Sequence, residues 1–425
     1  MIRFCPLIAF AILVTGCGDD DRTEGPDAAV DGAVDAAPPV DASEPDATEP
    51  DAGPPGVSCD ALVLDTSFPL APGADPISIH PSAVFAGDGI WATVTVLEPG
   101  TSVFDVLLVH VGCDGTTAEP VLVSTTPPGS SDLDAAVTVT ARGVVVVWQA
   151  DVEGTIQLWS RLHDAETGEP LGDAQPIVTT REGEPDTGTV WSPLFAGGEG
   201  APTVVGERGV EAASAFQAFV QVLGDDGLSA GATLEPFFAE GIGQDGVVGV
   251  RTDAGLTLAW TRAPAEGETS VVVMPPGGEP TQVPTTGMAT AGPTLAAFGA
   301  DVWLAASTGG GSRAIALHRV GDETTEELRQ PGANDVAPAL SSGAERMGLA
   351  WMRVVSGFRN DLFVRALTVG GESVSAGEVQ EIPTTGDAYA YPIELVHVRD
   401  DVHLLVWIEG TSSTDLRAMG RFVRL

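Results

Sequence analysis

Beyond residue 60 the chain is a succession of short apolar runs broken by Gly, Pro and Asp, and the runs recur in a fixed order. One element ends in a threonine pair, at Pro120–Thr126, Pro176–Thr180, Val283–Thr286 and Ile382–Thr385. A second opens mostly at a turn residue and runs into a strand, at Gly89, Gly143, Gly209, Gly255, Asp301, Met347 and Asp401, in steps of 46 to 66 residues. A third sets one polar residue among apolar ones, at His110, Arg161, Gln221, His318, Arg365 and Arg421. Pro81, Pro293, Pro338 and Pro392 are expected to open the strands that precede the second element. Aliphatic runs bounded by turn residues read as strands. Units of about 40–55 residues holding several strands each predict an all-β fold, a β-propeller.

The tryptophans sharpen the picture. Trp148 and Trp260 lie five residues after their opening glycines, whereas Trp91 and Trp303 lie two residues after theirs. Alternate residues of a strand face opposite sides, so these indoles are expected on opposite faces. A strand with large hydrophobes on both sides needs cover on both sides, which a blade between two blades receives. The last repeat stops at Leu425 after three strands, and an unmatched apolar run, Ala61–Ser67, stands at the other end. That run is expected to complete the last blade and close the ring, which removes an exposed sheet edge. Seven four-stranded blades rank first, six or eight second, and a pair of two-sheet sandwiches third. Blade 3, Pro193 to Pro236, has the weakest pattern.

Composition places the chain among partners. It carries 60 Asp+Glu against 19 Lys+Arg, a formal net charge of −41, and all of its basic residues are Arg. That balance excludes the basic footprint of nucleic-acid binding and charge-driven docking on anionic lipid. Apolar residues make up 43% of the chain, enough for a large core. Gly18–Ser58 differs: it is Asp, Ala, Pro and Gly in repeated Pro-Asp-Ala and Val-Asp-Ala units, with almost no large hydrophobe. Such a segment forms no core and is expected to be a disordered, extended tether.

Residues 1–16 read as an export signal, with Met1–Arg3 as a basic start and Phe4–Val14 as an apolar run too short to span a bilayer. Leu13-Val14-Thr15-Gly16-Cys17 resembles the bacterial lipoprotein box, and the acidic tether behind it resembles those of myxobacterial-type lipoproteins. The resemblance implies cleavage before Cys17, lipid attachment at Cys17, and a cell-envelope location on a bacterial membrane, outer membrane or cell surface before inner. The expected organisation is signal 1–16, lipidated tether 17–58 and propeller 59–425.

Cys59 and Cys113 remain in the exported domain, and closure of the ring brings the start of the domain beside blade 1, so a disulfide between them is expected. Candidate chemistry is sparse. His397 and His403 bracket a turn with Asp400 and Asp401 and form a weak zinc candidate, against which a plain hairpin is the stronger reading; no metal and no cofactor are assigned. His110 and His318 share the slot of Arg161 and Arg365 and are expected to face solvent. Sialidases are similar in architecture, but their arginine triad, tyrosine nucleophile and Ser-x-Asp-x-Gly-x-Thr-Trp boxes find no counterpart; Tyr389 and Tyr391 are the only tyrosines. No serine-hydrolase elbow, zinc helix or phosphate loop occurs, and no catalytic residue is assigned. The expected function is a monomeric, lipid-anchored binding or scaffold module for a protein, glycan or small molecule. The alternative is a glycoside hydrolase or lyase with carboxylates at the channel.

Overall fold

A computed structural model describes residues 59 and 62–425, apart from 74–77, 125–129, 153, 182–183, 186–188, 211–214, 235–241, 265–266, 286, 288–291, 311, 331, 357–358, 372, 386 and 413–414. The signal, Cys17 and the tether lie outside the described residues. The rest is a ring of seven antiparallel blades, with the strands in sequence order from the channel outward except in blade 7, whose outermost strand comes from the start of the domain. The inner strands are Ser78–Phe85, Ser131–Thr140, Val190–Phe195, Ile242–Thr252, Thr294–Phe298, Asp335–Ser342 and Asp387–Arg399. Each packs against the inner strand of the next blade, and the seventh packs against the first. In blade 3 the outer strand is reduced to single bridges, Val220 to Leu234 and Leu223 to Ser229, as its weak pattern foreshadows.

The apolar content sits in the seams. Among the described residues seven separate clusters fill the seven seams between blades. The second strand of blade 2, Gly143–Val152, shows why. Val144, Val146 and Trp148 enter the seam with blade 1, while Val145 and Val147 enter the seam with blade 3. The tryptophans divide as their spacing predicts. Trp91 and Trp303 point to the following blade; Trp148, Trp260, Trp351 and Trp407 point to the preceding one. Trp91 and Trp148 thus meet in one seam from opposite sides.

Closure uses the N-terminal segment, displaced from its expected place. The strand is Ser67–Pro69 rather than Ala61–Ser67, and it pairs with Met419–Arg421 of the last strand. Asp65 N–H donates to Phe422 O at 3.1 Å and Leu70 N–H to Ala418 O at 2.9 Å, which extends the pairing at both ends. Phe68 packs on Phe422, ring centroids 5.7 Å apart. The shift has a local cause. Cys59 is bonded to Cys113 at the end of blade 1's third strand, and Val63 N–H donates to Cys113 O at 3.0 Å. Those two ties hold Cys59 and Val63 on blade 1, so only the residues after them reach blade 7.

Two further expectations change. Gly209 lies near the end of blade 3's second strand, Thr203–Val210, and does not open it. Pro81, Pro338 and Pro392 lie inside inner strands, not at their starts. They fall at register shifts, where a residue without N–H leaves no ladder bond unmade.

The closure predicts a stability hierarchy. Cys113→Ser opens a loop of 54 residues, for which the chain-entropy account gives roughly 4 kcal/mol. Phe68→Ala removes about 3 kcal/mol or more of seam packing. Urea unfolding is expected to show both losses, with reductant lowering wild type to the level of Cys113→Ser. A midpoint unmoved by either substitution would remove the closing role of this segment.

Candidate functional site

The inner strands share a defect that builds the site. In five blades one residue too many stands between Ile79 and Ser82, Leu133 and Ala136, Trp191 and Leu194, Asp245 and Val248, and Val336 and Ala339. Blade 7 has a longer shift between Tyr389 and Glu394. In four of them the residue entering the bulge is left-handed: Asp134 (φ 47°), Ser192 (φ 48°), Gly246 (φ 63°) and Ala337 (φ 49°). Only at Gly246 does the sequence use the residue suited to that conformation; elsewhere the surroundings must hold the strain. A bulge leaves backbone groups without a strand partner, and buried backbone groups need one.

Neighbouring blades supply it. Ser192 N–H donates to Gln149 Oε1 of blade 2 at 3.1 Å. Gly246 N–H donates to Glu207 Oε1 of blade 3. Ala83 N–H donates to Glu394 Oε2 of blade 7 at 2.8 Å, and Thr93 Oγ1–H donates to Ala135 O of blade 2 at 3.3 Å. The bulges lie near the starts of the inner strands, so these polar stitches cluster towards the face where inner strands begin and second strands end, here the upper face.

Two stitches are carboxylates held from water. Burial pushes Glu394 up to about 7, opposed by hydrogen bonds from Ala83 N–H and Ser82. Burial pushes Glu207 up to about 7 as well; the Gly246 N–H opposes this, and the charge of Asp245 adds to it, with smaller contributions from Val247 N–H and Asp134. Asp245 is raised by burial too. Asp134 accepts a hydrogen bond from Gln149 Nε2 at 2.7 Å. Carboxylates of blades 2, 3 and 4 are therefore within electrostatic reach of one another. Trp191, register partner of Glu207, is half-buried and meets Phe216 edge-on, centroids 6.3 Å apart. Ser192 and Leu194 beside it are exposed on the inner strand of blade 3. This corner offers an aromatic face, amide and hydroxyl groups, and a carboxyl group that exchanges its proton near neutrality.

The residues singled out from sequence lie elsewhere. His397 and His403 are register partners across a hairpin, with rings 5.4 Å apart. His403 is fully buried, and His397 Nε2 lies 3.1 Å from Asp400 O. Among the described residues no group of three or more His, Cys, Asp or Glu is placed to hold a metal ion. His110 and His318 do not face solvent: both are buried, and His110 stacks on Trp91 at 4.3 Å and 11°. His110 stands one residue out of the shared register, since its neighbour Val109 occupies the position that Arg161 fills in blade 2. The true slot is a staple. Arg161 Nε donates to Gly172 O at 2.9 Å, Arg365 Nη2 to Gly377 O at 2.6 Å, and Gln221 Nε2 to Gly231 O at 3.3 Å. His318 Nδ1 lies 3.1 Å from Thr324 O. Each ties the third strand to the chain leading outward from it. Arg353, in turn, is bound to Asp335 at 2.7 Å and lies over the Phe363 ring.

Glu207, Glu394 and Trp191 were not selected from sequence. A usable signal existed in the prolines, since Pro81, Pro193 and Pro338 mark bulges, and the strands of Pro81 and Pro193 take a partner from the preceding blade.

No protein-family model matches the chain, and no curated protein matches it. Solved structures share its architecture at low identity. A Dyadobacter fermentans protein of unknown function is 10% identical, with a TM-score of 0.51 over 85% of this chain and 99% of its own. Trypanosoma rangeli sialidase in complex with sialic acid is 12% identical, with a TM-score of 0.40 over 88% of this chain and 59% of its own. Pyrococcus horikoshii acylaminoacyl peptidase is 11% identical, with a TM-score of 0.46 over 82% and 52%. The likeness is one of fold.

The buried groups set a pH profile. Glu207 and Glu394 hold protons in the folded chain up to about 7, against 4.5 ordinarily, so the folded state binds more protons in that window and stability rises as pH falls through it. His163 and His403 are lowered by burial from 6.5 to about 4, so stability is lost as pH falls through that window. From pH 8 to 6.5 each carboxylate gains on the order of 1 kcal/mol, while the lowered histidines, His110 and His318 among them, begin to lose stability as the unfolded imidazoles take up protons. Over that interval the thermal melt of wild type is expected to gain more than that of Glu394→Gln. Identical changes in the two proteins would contradict the assignment.

Proposed function

We propose that the chain is an exported, lipid-anchored binding module whose propeller presents the blade 2–4 corner of its channel to a glycan. The observation that carries the binding half is Trp191, half-buried and paired with Glu207, beside exposed Ser192 and Leu194. An indole face suits the C–H face of a sugar ring, and carboxylates and amides suit its hydroxyls. The acidity of the chain disfavours polyanionic ligands by charge. The anchoring half is supported by Leu13–Cys17 and by the charged spacer that follows it. Several acyl chains hold a protein on a membrane where one is marginal, and an acidic, proline-containing spacer lifts the propeller away from it.

One observation favours a second reading, an enzyme acting on glycans. Glu207 is half-protonated near neutrality with Asp245 close by, the pattern of a carboxyl group tuned to give up a proton. The stitch to Gly246 accounts for the burial of Glu207 without chemistry, and the binding reading stands first.

Two experiments test the proposal. On an immobilised glycan panel the purified chain is expected to bind at least one glycan, with Trp191→Ala at least tenfold weaker and Glu207→Gln within threefold. Binding of no glycan would discard the reading. Release of reducing sugar that vanishes in Glu207→Gln would replace it with the enzyme. For the anchor, wild type is expected in the membrane fraction with a lipidated N-terminal Cys17 by mass, and Cys17→Ser in the soluble fraction. Equal retention of the variant would end the anchor reading.

A further inference from the structure

The staple residues differ from seam to seam, and the difference exposes a second site. In blade 2 Arg161 satisfies two carbonyls: Nε donates to Gly172 O, and Nη1 reaches across the seam to Val123 O, at the end of blade 1's outer strand, at 3.0 Å. Arg365 holds the same slot in blade 6, and its Nη2 goes to Gly377 O. It makes no bond across the seam to blade 5, and its Nε is buried with no acceptor among the described residues. A cleft of about 240 Å³ stands in the outer part of that seam instead.

The lining of the cleft is two-sided. Leu328 of blade 5 is half-buried at its wall, and Ile315 of blade 5 with Leu349 and Trp351 of blade 6 forms a buried apolar floor. Charge comes from Glu327, Arg329, Asp335 and Arg365. Each carboxylate has its own cation: Glu327 is 3.2 Å from Arg329, and Asp335 is bound by both Arg353 Nε and Nη2, at 2.7 and 3.2 Å. Among the described residues no carboxylate lies within ion-pair distance of Arg365; the charge of Glu326 reaches it only from farther off, so no direct anionic partner occupies its guanidinium. A guanidinium with an unmet N–H in a protein wall favours an oxygen acceptor, and a charged one most. A cavity of ~150 Å³ already holds benzene, so this cleft has room for a ring bearing one carboxylate.

We propose that the seam between blades 5 and 6 binds a small apolar carboxylate, its anionic end on Arg365 with Arg329 at the rim, and its ring or chain against Trp351 and Leu349. The ligand oxygen takes the place that the Val123 carbonyl holds opposite Arg161. The site is separate from the channel corner and does not depend on the glycan reading.

Phenylacetate is the probe. Calorimetric titration of the full chain is expected to give saturable one-to-one binding with a dissociation constant on the order of 1 mM, reasonable for ten heavy atoms. Phenylacetamide, of the same shape without the charge, is expected to bind at least tenfold more weakly. Arg365→Met is expected to weaken phenylacetate at least tenfold. Ala376→Leu, which fills the cleft from its wall, is expected to abolish binding, and Arg329→Gln to weaken it about threefold. Arg329 is exposed and Ala376 lies near the surface, so those two variants test the site even if loss of the Gly377 staple disturbs Arg365→Met. Absence of saturable binding, equal affinity for the amide, or binding unchanged in Ala376→Leu and Arg329→Gln would each overturn the proposal.

Discussion

Every blade of this protein is apolar on both faces, and that single constraint organises the rest. The second strand of blade 2 sends Val144, Val146 and Trp148 one way and Val145 and Val147 the other. A sheet of that kind has no face to show to water, so it needs a neighbour on each side. Seven such sheets satisfy one another only in a closed circle. The circle in turn needs a strand from the far end of the chain, which is where Ser67–Pro69 enters blade 7.

Close packing of the inner strands creates a second requirement. Their bulges turn backbone N–H groups out of the ladder, and the adjacent blade answers with Gln149, Glu207 or Glu394. The same arrangement produces the unusual acid–base character of the interior. Glu207 is buried because it holds two blades together, and burial raises its proton affinity. A structural duty thereby leaves a carboxyl group of raised proton affinity beside an aromatic face. The arginines show the converse. Arg161, Arg353 and Arg365 carry the charge expected of a recognition site, yet their hydrogen bonds go first to loop carbonyls and to Asp335.

The repeat, the ring, the opposed tryptophans and the Cys59–Cys113 bond were legible because each rests on periodicity or parity, which a chain displays directly. Positions that depend on neighbours were not. Gly209 looked like a strand opening because glycine commonly marks a turn, but in blade 3 the turn glycines are Gly197, Gly198 and Gly200, and Gly209 falls inside the ladder. His110 looked solvent-facing because it was set in the slot of Arg161 and Arg365; it stands one residue off that slot, and the stack on Trp91 covers it from its own sheet. Glu207 and Glu394 are one acid each among 60, and only the bulge of the next blade distinguishes them. Sequence reports which way a strand residue points, not what waits on the other side.

The order of attachments at the start of the domain governs how the ring responds to traction. A pull arriving through the chain before residue 59 meets the covalent bond to Cys113 first and passes into the body of blade 1. The stretch from Asp65 to Leu70, whose few hydrogen bonds would unzip one at a time, lies downstream of that junction and carries no load. A load entering at Cys59 therefore bypasses the short strand that closes the ring.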